Sequence, residues 1–203
     1  MSAAPTASFP CPAVGPRGLA DHGYRERKSS ASYIRRLREP GSRWRFPDRA
    51  LHVVDIENLA GAALPTLAMV SEVQGRYVAC PGFREGDQVV LAASHRALLN
   101  AGLGWPHARY RMRSGKDGAD LALIDVLEHE NVAARFGHVV IGSGDGLFGR
   151  TAAKLADRGV RITVVSRRAS LSAGLARIAA DVIYLDGPLT VAALSRASAL
   201  HSR

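Results

Sequence analysis

The chain has 203 residues, room for one ordinary domain and a tail but not for two full α/β domains. Apolar residues make up 47% and charged residues 22%, as in a soluble globular protein with a real core, and no apolar run approaches the roughly 20 residues that span a bilayer. Two cysteines, Cys11 and Cys80, exclude a disulfide scaffold and a cysteine-ligated zinc site, and the start lacks an apolar signal region, so the reading is cytoplasmic.

Residues 1–48 are rich in Pro, Ser and Arg without periodicity and read as a basic, disordered arm. Residues 1–50 carry a balance of +6 and the rest only +3, so the basic character sits mainly in this arm. A basic arm on a nearly neutral body suggests an anionic partner, nucleic acid more than membrane. Within it, Tyr33–Arg38 has the makings of a helical turn, and Trp44 and Phe46 among arginines either stack on bases or pack on the domain edge.

From residue 50 the pattern becomes regular. Strands are predicted at 50–55, 87–92, 109–112, 138–141, 161–165 and 181–185. Helices are predicted from Pro65 to Ala79, His95 to Asn100, Asp120 to Ala134, Leu147 to Arg158 and Leu171 to Ala179. Strands alternating with helices imply a mostly parallel sheet covered on both faces, a three-layer α/β domain over residues 49–190. Residues 191–203 read as a loosely attached tail.

In such a sheet, ligands bind beyond the carboxyl ends of the strands. Asp55 ends the first predicted strand, Asp117 and Asp120 follow the third, and Asp145 follows the fourth. Crowded carboxylates repel, so a shared proton, a basic neighbour or a hard divalent cation must compensate. Each acid also has a local reading. Asp117 fits a helix N-cap, and Asp145 fits a stabiliser of its glycine-rich turn, whereas Asp55 has no obvious local partner. Asn58 either caps the segment after it or orients a carboxylate, Glu57 is outer or exposed, and Asp125 and His129 read as a structural and a solvated helix position. Gly144-x-Gly146-x-x-Gly149 matches a dinucleotide fingerprint. Asp145 would oppose a pyrophosphate there, and the motif follows the fourth strand rather than the first, so no dinucleotide cofactor is expected.

Three segments, Val54-Asp55-Ile56-Glu57-Asn58-Leu59, Lys116-Asp117-Gly118-Ala119-Asp120-Leu121 and Val140–Phe148 with its Gly142-Ser143-Gly144-Asp145 turn, resemble in order and spacing the NYN domain of the PIN-like nuclease superfamily. The resemblance covers about residues 50–186. It implies a Rossmann-like, PIN-like fold, a Mg²⁺ or Mn²⁺ site formed by Asp55, Asp120 and Asp145, and hydrolysis of RNA. Asn58, Asp117 and Ser143 would take supporting positions, and Arg111, Arg113, Lys116, Arg167 and Arg168 would contact RNA phosphates. Many members place a second aspartate two residues after the Ser-Gly-Asp turn acid, where this chain has Leu147. That departure motivates an alternative, a catalytically weak RNA-binding or regulatory module on the same fold.

Overall fold

The computed structural model describes residues 46–186, with side chains from Arg49 onward. The expectations for the arm, including Trp44 and the Phe46 ring, and for the tail lie outside the described residues. Six strands alternate with helices: β1 (Phe46–Asp55), α1 (Ile56–Ala60), α2 (Leu67–Val78), β2 (Gln88–Ala93), α3 (Leu98–Gly104), β3 (Arg109–Met112), α4 (Gly118–His129), α5 (Val132–Arg135), β4 (Phe136–Gly142), α6 (Phe148–Asp157), β5 (Arg161–Ser166), α7 (Ala173–Ile178) and β6 (Asp181–Tyr184). All pair in parallel, in the order β3-β2-β1-β4-β5-β6, giving a Rossmann-like α/β domain.

The period-2 alternation of the central strands feeds two cores. Leu51 and Val53 of β1, Val139 and Ile141 of β4, and Ile162 and Val164 of β5 join one cluster, packed with Leu123, Val126, Phe148 and Leu155. Ala50, Val54, Val140 and Val165 point the other way, against Leu59, Val70, Val73 and Tyr77. Phe148 is fully buried, a contribution of about 1.5–3 kcal/mol for a side chain of this size.

The sheet expected to be mostly parallel is parallel throughout. Three expectations are corrected. Strand β1 begins at Phe46 rather than 50. The helix expected from Asp120 to Ala134 starts at Gly118 and breaks at Asn131, which adopts the left-handed region (φ 54°) between α4 and α5. The helix expected at His95–Asn100 lies at Leu98–Gly104 instead. Helix α1 is not among the predicted elements; at 5 residues it is too short to show a hydrophobic period. No helix among the described residues is long and apolar enough to cross a membrane.

The strand order reverses between β1 and β4. Such a switch point opens a crevice at the carboxyl ends, because the loops leaving the two central strands diverge to opposite sides. Asp55 ends one of these strands and Ser143–Asp145 follow the other.

Candidate active site at the carboxyl rim

Asp55 is 5% exposed and has the local partners that the sequence did not reveal. It is the N-cap of α1, where its Oδ1 accepts from the amides of Glu57 (3.0 Å) and Asn58 (3.1 Å). The short helix stops at Gly61, which takes φ 70°, and a Cβ there would come within 2.6 Å of the Arg167 guanidinium. The sequence did carry a signal for α1: an Asp cap, an acidic first turn and a closing glycine.

Asn58 does not cap. Its Oδ1 accepts from the Gly144 amide at 3.1 Å, and its carbonyl accepts from Arg167 Nε at 3.0 Å. The loop after β4 is thereby tied to the loop after β1. Ser143 is fully buried and its Oγ accepts from the Asp145 amide at 3.2 Å, while Asp145 Oδ1 accepts from the Leu147 amide at 2.8 Å. A Cβ on Gly144 would lie 2.2 Å from the Ser170 carbonyl oxygen, so this backbone approach admits only glycine.

Asp120 sits in the first turn of α4, only 7% exposed, and its Oδ1 has no hydrogen-bond partner. Its carboxyl lies against that of Asp55 and within reach of the charges of Asp145 and Asp117. Burial first, and these negative neighbours next, push the Asp120 pKa up to about 8. Burial also raises Asp55, against the opposing pull of its amide donors. At neutral pH the pair therefore shares a proton. Asp117 holds the N-cap position of α4 but in the left-handed region (φ 56°), and its side chain makes no capping bond, contrary to the N-cap reading. Glu57, expected to be peripheral, is half-buried and its carboxylate accepts from the Ser94 amide at 2.8 Å, bracing the end of β2.

The predicted phosphate-contacting residues divide. Arg111 and Arg113 hold acids of the flanking helix region, Glu130 at 3.0 Å and Asp125 at 3.3 Å. Arg167 is committed to the Asn58 carbonyl, and the Arg168 guanidinium stacks 4.1 Å from the Tyr184 ring centroid. Lys116 is exposed beside Asp117. Leu147 is 43% exposed, and Phe148 is the residue that anchors α6 in the core.

A hard divalent cation matches this donor set in chemistry: anionic oxygens, one of them buried and unpartnered. The match is incomplete in position. Among the described residues no three His, Cys, Asp or Glu side chains stand together as a group able to hold an ion. Asp55 and Asp120 are together, whereas Asp145 has one oxygen on the Leu147 amide and acts on Asp120 through its charge.

The fold and this rim define a doubly wound α/β protein with clustered acids on the carboxyl rim beside its topological switch point. Comparison with known protein families finds no match, and no curated protein matches the chain. Among solved structures, the chain is similar to a protein of unknown function from Vibrio parahaemolyticus at 17% identity and a TM-score of 0.45, over 73% of this chain and 96% of that one.

Proposed function

We propose that the chain is a divalent-cation-dependent ribonuclease of the NYN, PIN-like kind, hydrolysing RNA phosphodiester bonds at Asp55, Asp120 and Asp145. The observation that carries this reading is the buried Asp55–Asp120 pair with its unpartnered Asp120 oxygen. Burying such an acid costs stability unless something present in the working state compensates. Mg²⁺ or Mn²⁺, if held by these carboxylates, would supply charge neutralisation at a phosphoryl oxygen and an acidified water.

The chain's own groups have defined parts. Asp55 is fixed by two amides, so it offers an oriented carboxylate. Asp120 holds the shared proton below about pH 8 and must release it before it can act as an anionic ligand. Asn58 and Ser143 set the loop that presents Asp145. In that loop the amides of Gly144, Asp145 and Leu147 are all taken by side chains, which supports phosphodiester chemistry at the carboxylates over pyrophosphate binding at the amides.

The test is cleavage of a labelled RNA with millimolar Mn²⁺ at pH 8. Asp120→Asn and Asp145→Asn should each lower the rate at least 100-fold. The separate position of Asp145 favours the second reading, a weakly catalytic RNA-binding module, and RNA binding without Mn²⁺-dependent cleavage would establish it. If neither binding nor cleavage is seen, both readings fail.

A further inference from the structure

The opposite rim of the sheet carries a second constellation, separate from the acids of the carboxyl rim. A cavity of about 710 Å³ opens there at the amino ends of β1, β4, β5 and β6, within the usual size range of small-molecule sites. Its charged and polar lining is Arg49, Arg84, Asp87, His138, Arg161 and Asp181, with the Thr163 hydroxyl, and Pro81, Val182 and Ile183 supply an apolar wall. Strand register sets the arrangement: Ala50, His138 and Arg161 are paired at one level across β1, β4 and β5.

One buried carboxylate fixes the backbone that carries two of the cations. Asp87 accepts from the amide of Ala50 at 2.8 Å, from the amide of Arg84 at 2.8 Å, and from His52 Nε2 at 3.2 Å. The loop carrying Arg84 is thus pinned beside the residue that follows Arg49. Arg49 Nε also donates to the Gly86 carbonyl of the same loop. Across the cavity, Arg161 Nη2 donates to Asp181 at 2.6 Å, and the Thr163 hydroxyl is 2.9 Å from His138 Nε2. Burial first, then the nearby His52 and Arg161, lower the His138 pKa, so the imidazole adds no charge at neutral pH.

The charges facing the cavity are then three guanidinium groups against two carboxylates. Asp87 is already satisfied by three donors and Asp181 is paired with Arg161. Arg84 has no side-chain partner among the described residues, and Arg49 keeps both terminal nitrogens free of a described bond. Two forked donors lining a polar cavity, with an apolar wall alongside, suit a planar or tetrahedral oxyanion attached to an organic group. We infer that the amino-terminal rim is a binding site for a phosphomonoester of mononucleotide size, with its phosphoryl group between Arg49 and Arg84. The site needs no cation and is independent of the ribonuclease reading.

The test is isothermal titration of the full chain in EDTA with adenosine 5′-monophosphate, adenosine and inorganic phosphate. The monophosphate should bind and adenosine should not. Inorganic phosphate should compete, and the ratio of the two affinities tells a free phosphate site from one that also holds the nucleoside. Arg84→Gln and Arg49→Gln, both at exposed positions, should each weaken binding at least tenfold without changing the far-UV spectrum. As a locating control, Asp120→Asn should bind the monophosphate as wild type does. The inference is overturned if wild type does not bind the monophosphate at millimolar concentration. It is equally overturned if adenosine binds as well, or if Asp120→Asn abolishes binding and the arginine variants do not.

Discussion

His52 and Asp55 lie three residues apart on β1, yet they belong to opposite kinds of polar cluster. Toward the amino rim, His52 joins the Tyr77 hydroxyl (3.1 Å) to Asp87, whose carboxylate takes three donors. Burial works against the Asp87 charge, but the bonds from His52, Ala50 and Arg84 outweigh it and hold the group below the ordinary carboxylate range. At the carboxyl rim, Asp120 is buried with an unpartnered oxygen and three negative neighbours, and it is pushed far the other way. The same sheet satisfies one buried acid completely and leaves the other unsatisfied. A fold that can satisfy buried acids carries an unsatisfied one here at a cost to its own stability, and Asp120 lies on the carboxyl rim against Asp55 beside the switch point.

The comparison breaks most visibly at Asp87. Asp87→Ala strands His52 Nε2 and the amides of Ala50 and Arg84 together, and it should cost about 3 kcal/mol in a urea unfolding experiment. A loss below about 1 kcal/mol would mean that the satisfied cluster is not a structural clamp.

Asp120→Asn should have the opposite sign. The Asp120 proton is lost near pH 3.8 in the unfolded chain and near 8 in the folded one, so between these values the folded state binds more protons. Stability from this group is therefore fully present below about pH 4 and drains away as pH rises toward 8. The amide cannot ionise, so the variant should gain about 2 kcal/mol over wild type at pH 8 in the absence of metal, shrinking toward zero by pH 4. Parallel pH–stability curves for the two proteins would show that Asp120 is not strained. Asn58→Ala removes only the tie between the two central loops and should cost about 1 kcal/mol by the same measurement.

How much of this was legible follows from sequence distance. The alternation Leu51, Val53 against Ala50, Val54 marks β1 as buried on both faces, and the position of Asp120 at the opening of the helix after the third strand marks it as an acid of the carboxyl rim. The cap at Asp55 was local but brief, and a five-residue helix leaves no period to detect. The His52–Asp87 contact spans 35 residues and the Arg111–Glu130 pair 19, and nothing in a pattern of spacing reports either. Arginines near the rim were therefore read as phosphate contacts, although Arg111, Arg113 and Arg167 have protein partners. Leu147 stands at the start of α6, where either a replaced acid or a core anchor could sit. Its exposure beside the fully buried Phe148 removes the core reading.

The smallest expected effect without metal, and the sharpest probe of the unsatisfied rim, belongs to Leu147→Asp. The residue is exposed and immediately precedes α6, where an acid gains about 0.3–1 kcal/mol from the helix N-terminus. Against this stands repulsion from Asp145 two residues before it and from the acids beyond. The two terms oppose, so the metal-free melting temperature should change little. With millimolar Mn²⁺ the balance shifts, because a hard cation favours each added anionic oxygen and stabilises only the folded chain that binds it. The variant should therefore show a larger Mn²⁺-induced rise in melting temperature than wild type at pH 8. At pH 6 the Asp120 proton competes with the ion, so the rise should be smaller for both proteins. Equal shifts in variant and wild type would place position 147 outside the reach of any ion at Asp55 and Asp120. A wild type that does not respond to Mn²⁺ at either pH would remove the cation from this rim, leaving the shared proton as the sole compensation for the acid pair.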